Sequence, residues 1–122
     1  MKMLIVDDSS VMRKRIMQVA QNKDLPDIEI VGLARDGVEA IHLTRKHRPA
    51  IVTMDLTMPN MDGVACISEI AKVSGMARIL VVSALSDKRT ALQALMNGAH
   101  GYIHKPFTDA ELLAGLKELI KD

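Results

Sequence analysis

Polar side chains follow four of five short apolar runs of the chain, and their types point to one kind of chemistry. In chain order they are Asp7 with Asp8, Asp55, Ser83 and Lys105. Three carboxylates brought together repel one another, so they need a cation or a raised pKa. Oxygen ligands alone suit a hard cation such as Mg²⁺, and a carboxylate beside it can attack phosphorus to form an acyl phosphate. A lysine and a hydroxyl can hold the phosphoryl oxygens. The set therefore suggests phosphoryl transfer to an aspartate.

These side chains can meet only if the runs before them are parallel strands that end at one edge of a sheet. The runs are rich in β-branched residues and continuous rather than alternating, which is typical of strands buried on both faces. We predict strands at 3–6, 28–33, 51–54, 79–82 and 102–103. Ligands of such sheets bind beyond the carboxyl ends of the strands, where the polar side chains lie.

Helical periodicity separates the predicted strands. The apolar positions that share a helix face are Met12, Ile16, Val19 and Ala20, then Val64, Ile67 and Ala71, then Leu112, Leu116, Leu119 and Ile120. The pairs Asp36–Glu39 and Thr108–Glu111 have the spacing of capping boxes, and a thin apolar stripe predicts a helix from Val38 to about His47. Strands that alternate with helices predict an α/β fold with a parallel sheet covered on both faces.

Composition limits the classes of function. The chain has 122 residues, 48% of them hydrophobic, which predicts one domain over residues 1–122. One cysteine, Cys66, excludes a disulfide framework, and a net charge of +1 argues against nucleic acid as a partner. No apolar run approaches the roughly 20 residues of a membrane span, and no signal peptide opens the chain, so we expect no membrane contact and a cytoplasmic location.

Several features are given structural interpretations. The nine methionines are expected to lie mostly in the core, although Met58, Met61 and Met96 could face a partner. The run from Arg13 to Arg15 is expected to be a solvated helix face. The four histidines, His42, His47, His100 and His104, lack the spacing of metal ligands.

Four motifs resemble the receiver domain of bacterial response regulators, above all its stand-alone chemotaxis type. They are LIVDDSS at 4–10, MDLTMPNMDG at 54–63, the pair Ser83-Ala84 and GYIHKPF at 101–107. The resemblance covers the whole chain in order. It implies a flavodoxin-like, doubly wound (βα)5 fold with strand order 2-1-3-4-5, which brings Asp7 and Asp8 next to Asp55.

The resemblance also implies roles at the acidic edge. Asp55 would accept a phosphoryl group from a phosphohistidine of a sensor histidine kinase. Asp8, Asp55 and the backbone carbonyl of Thr57 would ligate Mg²⁺, and Asp7 would act mainly through a coordinated water.

The remaining implied roles concern the switch. Lys105 would pair with the phosphoryl group, and Ser83, with its neighbour Ala84, would contact it and draw the adjoining loop inward. Tyr102 would then turn inward, which changes the surface of the fourth helix, fifth strand and fifth helix. The bond before Pro106 is expected to be cis.

The chain ends soon after the fifth predicted helix, so we expect no output domain and a monomer that acts by docking. The expected partners are the kinase and a downstream target protein, a flagellar motor switch protein if the chemotaxis likeness holds. The protein would catalyse only its own phosphorylation and dephosphorylation. Alternatives are a phosphorelay intermediate, a scaffold receiver, or a haloacid-dehalogenase-type phosphatase, whose D-x-D signature is absent because Ser9 and Thr57 follow Asp7 and Asp55.

Overall fold

The computed structural model describes residues 1–121, in which five strands alternate with five helices. The strands are β1 (Lys2–Val6), β2 (Glu29–Ala34), β3 (Ile51–Met54), β4 (Arg78–Ser83) and β5 (Gly101–His104). The helices are α1 (Ser10–Ala20), α2 (Gly37–His47), α3 (Gly63–Val73), α4 (Lys88–Met96) and α5 (Asp109–Ile120). Every predicted strand is present, and the thin apolar stripe after Asp36 does form a helix.

All neighbouring strands pair in parallel, in the order β2-β1-β3-β4-β5. This confirms the doubly wound α/β fold. One apolar layer lies between the sheet and helices α1 and α5, and the other lies beneath α2, α3 and α4. The three interior strands, β1, β3 and β4, are therefore buried on both faces, which explains their continuous apolar runs. The edge strands β2 and β5 are only partly buried.

The expectation that the methionines lie mostly in the core agrees with the structure for six of the nine, which are buried or pack partly buried against the two apolar layers: Met3, Met12, Met17, Met54, Met58 and Met61. Met3 and Met54 are fully buried because they lie on the two central strands. Met76 follows α3 and is 89% exposed, and Met96 ends α4 and is 76% exposed. On α4 the buried residue is Ala94, so the exposed face of this helix keeps large apolar side chains.

Each helix begins at a side-chain oxygen that accepts a hydrogen bond from its first turn, which fixes the loops at the carboxyl edge of the sheet. The capping residues are Ser9, Asp36, Asp62, Asp87 and Thr108. Thr108 and Glu111 form the predicted capping box. Asp36 accepts from Glu39 N–H at 2.8 Å, but the Glu39 carboxylate lies 3.7 Å from Arg35.

Within residues 1–121, no helix combines the length and the apolar character that crossing a membrane requires.

Candidate functional site

Three aspartates meet at the carboxyl edge of the two central strands. Val6 of β1 lies opposite Met54 of β3, and Asp55 N–H donates to the Val6 carbonyl at 3.0 Å. Carboxylate oxygens of Asp7, Asp8 and Asp55 consequently lie within 4.8 Å of one another. The sequence prediction that these strand ends converge is confirmed.

The cluster is buried on one side and open on the other. Asp7 is 1% exposed and Asp55 is 2% exposed, whereas Asp8 is exposed to solvent. Lys105 Nζ lies 2.8 Å from Asp7 Oδ2 and 3.6 Å from Asp55 Oδ2. Burial raises the pKa of the Asp55 carboxyl, because it penalises the charged form, and hydrogen bonding from Thr57 and the charge of Lys105 oppose that rise.

The arrangement fits a hard divalent cation. One ammonium group faces three carboxylates in this cluster, so negative charge is left uncompensated when all three are ionised. The donors are all oxygen, which suits Mg²⁺ and gives no preference for zinc. The exposed Asp8 leaves an approach from solvent. The predicted ligand role of the Thr57 carbonyl stays a prediction.

The two oxygens of Asp55 have different surroundings. Thr57 donates its backbone N–H and its hydroxyl to Oδ1, each at 3.2 Å. Oδ2 instead faces Lys105. A phosphoryl group that approached Oδ2 would therefore meet the ammonium group at once.

The segment after Asp55 turns back sharply before α3. A Cβ added at Gly63 would lie 2.5 Å from the Leu56 Cα, so a side chain cannot be accommodated at that position. Asn60 adopts a left-handed conformation (φ 72°), and its side-chain amide donates to Asp36 Oδ2 at 3.0 Å. These contacts hold the acceptor loop against the start of α2.

The switch residues of the prediction lie on β4 and β5, beside the acidic cluster. Ser83 is fully buried, and its Oγ accepts a hydrogen bond from Leu85 N–H at 3.1 Å, which leaves the hydroxyl proton available. Tyr102 is half-buried and donates its hydroxyl to the Leu85 carbonyl. The Lys105–Pro106 bond is cis, as the resemblance implied.

Two arginines of α1, Arg13 and Arg15, are not part of the solvated face that the sequence predicted. Arg13 Nη1 donates to the Asp7 carbonyl at 2.6 Å, and Arg15 donates to the Phe107 carbonyl at 2.6 Å. Arg15 also lies 4.4 Å above the centre of the Phe107 ring. The expectation of a solvated face therefore holds for Lys14 alone. These contacts tie α1 to the loops at both ends of the cluster.

His104 was also missed as a residue of this site. Its Nε2 lies 3.1 Å from the Ala84 carbonyl. A usable signal was present, because His104 and Tyr102 are two positions apart on one strand and so share a face of the sheet.

Comparison with known proteins agrees with this geometry. Residues 3–117 match the family model of the response regulator receiver domain. The chemotaxis protein CheY of Bacillus subtilis is 34% identical over 119 residues, which cover 98% of this chain and 97% of that protein. A protein-glutamate methylesterase/protein-glutamine glutaminase of Methanococcoides burtonii is 39% identical, over 98% of this chain and 32% of its own length.

A solved structure gives the same result in three dimensions. A chain in the crystal structure of the CheX–CheY–BeF3–Mg²⁺ complex of Borrelia burgdorferi matches with a TM-score of 0.91 and 33% identity. The match covers 99% of this chain and 90% of that one. The likeness thus holds in sequence and in fold over nearly the whole length.

Proposed function

This chain belongs to the response regulator receiver domain family, and from that premise we propose that it is a phosphorylation-controlled signalling switch. Receiver domains and CheY proteins are signalling proteins rather than conventional enzymes, so the chemistry concerns the protein itself. The observation that carries the proposal is the cluster of Asp7, Asp8 and Asp55 with Lys105 at hydrogen-bond distance.

We propose that Asp55 is the phosphoryl acceptor. Its Oδ2 attacks the phosphorus of a phosphohistidine on a sensor histidine kinase, while Thr57 holds Oδ1. The new P–O bond forms as the P–N bond breaks, and the electron pair of that bond stays on the histidine nitrogen. Lys105, now 3.6 Å from Oδ2, takes its place against the transferred phosphoryl oxygens.

Asp7, Asp8, Asp55 and the carbonyl of Thr57 would hold Mg²⁺. When bound, the ion supplies positive charge that offsets the negative charge of the transferring group. Asp7 is kept in orientation by Ser9 N–H, which donates to its Oδ1 at 2.9 Å, and by Lys105 on its Oδ2. These contacts hold the buried carboxylate of Asp7 in a fixed orientation within the cluster.

Phosphorylation adds about −1.5 to −2 charges and three strong acceptor oxygens at Asp55. The Ser83 hydroxyl, the Ala84 N–H and Lys105 are the donors at hand. A change from 1:99 to 99:1 between two conformations needs roughly 5.5 kcal/mol. Charge-assisted hydrogen bonds contribute about 1.5–3 kcal/mol each, so two or three of them suffice.

The output surface would comprise α4, β5 and α5. On α4 it presents Leu92, Leu95 and Met96, which are 59%, 46% and 76% exposed. On β5 it presents the half-buried Tyr102, whose hydroxyl donates to the Leu85 carbonyl in the loop before α4. A target protein that buries these side chains would sense the switch. The relatives favour a target in chemotaxis, and a flagellar motor switch protein is the specific candidate.

The test compares Asp55→Asn with Asp62→Asn. Asp62 is an exposed carboxylate of the same loop that caps α3, and asparagine caps helices about as well. The purified proteins are incubated with acetyl phosphate and Mg²⁺, and the phosphoryl group is located by intact-mass analysis and peptide mapping. We expect full labelling of the wild type and of Asp62→Asn, and none of Asp55→Asn. Undiminished labelling of Asp55→Asn would refute the assignment.

A further inference from the structure

The β4–α4 loop (residues 84–87) is held along one side by β5. The carbonyl oxygens of three consecutive residues, Ser83, Ala84 and Leu85, face donors of β5 and of Lys105, the residue directly after it. Lys105 N–H donates to the first at 2.8 Å, His104 Nε2 lies 3.1 Å from the second, and the Tyr102 hydroxyl donates to the third. The first bond continues the sheet ladder, whereas the other two depend on side chains.

The peptide between Ala84 and Leu85 links His104 to Ser83. Its carbonyl faces His104 Nε2, and its N–H donates to Ser83 Oγ at 3.1 Å. The C=O and N–H of one trans peptide point in opposite directions in a common plane. When His104 holds the Ala84 carbonyl, the Leu85 N–H of the same peptide is therefore held in its direction toward Ser83 Oγ.

The neighbouring peptide is fixed in the same way. The Ser83 carbonyl accepts from the N–H of Lys105, directly after β5, so Ala84 N–H points away from β5. Strand β4 lies between β5 and β3, and Asp55 follows β3. The held loop thus turns Ala84 N–H toward the side of the acceptor aspartate, and the Ser83 hydroxyl, which accepts from Leu85 N–H, keeps its proton free to donate.

We propose that His104 is a positioning residue that holds the Ala84–Leu85 peptide and, through it, the Ser83 hydroxyl in place for the phosphoryl group. The proposal rests on the function proposed above. A carbonyl can only accept, so His104 carries its proton on Nε2. The hydrogen bond from His104 favours the loop arrangement that can bind the phosphoryl group. Its loss lowers the population of that arrangement and so reduces the apparent affinity for a phosphoryl analogue.

The test is a titration with beryllofluoride, an analogue of the phosphoryl group, in the presence of saturating Mg²⁺. His104→Val removes the donor, and His104→Gln places an amide donor at a similar reach. We expect the dissociation constant for beryllofluoride to be about fivefold higher for His104→Val than for the wild type. That is the ratio of dissociation constants that corresponds to the loss of one neutral hydrogen bond. We expect His104→Gln to bind within about twofold of the wild type on the same estimate.

A double-mutant cycle separates positioning from a general structural effect. In a Ser83→Ala background the hydroxyl is gone, so His104→Val should weaken beryllofluoride binding by less than about twofold further. Affinity for Mg²⁺ alone should be unchanged in the two His104 variants, because the His104 side chain faces the Ala84 carbonyl and is not part of the cluster of three aspartates. His104 is exposed, and a melting curve checks that each variant is folded. His104→Ala replaces the valine variant if that one is unfolded.

Each result decides between the proposals. If the wild type binds beryllofluoride and His104→Val binds it equally well, His104 is not a positioning residue and the proposed function stands. An equal loss in the Ser83→Ala background would also overturn the positioning role. If the wild type fails to bind beryllofluoride with Mg²⁺, the proposed function itself is overturned, and the role of His104 with it.

Discussion

Replacing Thr53 by valine should stabilise the protein. Thr53 lies on β3 opposite Ile5 of β1 and Leu80 of β4, and it is fully buried. Among the side chains of residues 1–121, its Oγ1 is the buried polar atom without a hydrogen-bond partner. Valine has the same shape with a methyl group in place of the hydroxyl, so the substitution removes a desolvated polar group and adds apolar contact.

The magnitude follows from that burial. A buried hydroxyl left without a partner costs about 1–3 kcal/mol. Allowing for relaxation around the site, we expect Thr53→Val to raise the free energy of unfolding by about 1–2 kcal/mol. For a chain of this length that corresponds to an increase in Tm of about 4–8 °C. Urea denaturation and calorimetry measure the two quantities.

Thr44 supplies a matched control. It is also fully buried, but its Oγ1 donates to the Ala40 carbonyl at 2.7 Å. Thr44→Val therefore loses a hydrogen bond, and we expect a decrease of about 1 kcal/mol. Threonine-to-valine substitution should therefore raise the free energy of unfolding at one of these equally buried sites and lower it at the other. If Thr53→Val is no more stable than the wild type, the hydroxyl has a partner and the reasoning fails.

Two further predictions concern the acidic cluster and the thiol. In EDTA, Asp8→Ala should melt at a higher temperature than the wild type, because one of three neighbouring negative charges is removed. Added Mg²⁺ should raise the Tm of Asp8→Ala by less than it raises that of the wild type. A lower Tm of Asp8→Ala in EDTA would contradict the repulsion argument. Burial raises the pKa of the Cys66 thiol to about 12. The neutral thiol is then the stable form near pH 8, and since the thiolate is the reactive species, Ellman's reagent should label Cys66 only after unfolding in urea. Labelling at equal rates in folded and unfolded protein would count against this burial.

Local patterns predicted most of the fold because they record burial on both faces of the sheet. The continuous runs at Ile51–Met54 and Arg78–Ser83 belong to interior strands, where every residue except Arg78 is buried. The edge strand β2 was predicted at 28–33 and found at Glu29–Ala34, where it pairs with β1 through an irregular register at Met3 and Leu4. Such shifts depend on the partner strand and leave no mark in the sequence of β2 itself.

The acidic cluster was predictable because strand ends carry their side chains to a common edge. The contacts of His104, Arg13 and Arg15 were not predictable, because each side chain reaches a backbone carbonyl of another segment. Every residue carries such a carbonyl, so the sequence does not mark which one is the partner. The exposure of Met96 agrees with the expectation that it could face a partner, since α4 buries its small Ala94 and leaves its larger side chains exposed.

The hydrogen bond from Tyr102 to the Leu85 carbonyl has a practical use. The chain has no tryptophan and one tyrosine, so its near-ultraviolet emission comes from a single phenol ring. That ring is anchored to the loop that follows Ser83. Any rearrangement of the loop that breaks or remakes this bond alters the environment of the protein's one intrinsic fluorophore. The natural protein is therefore its own optical reporter of loop movement and requires no added dye or engineered probe.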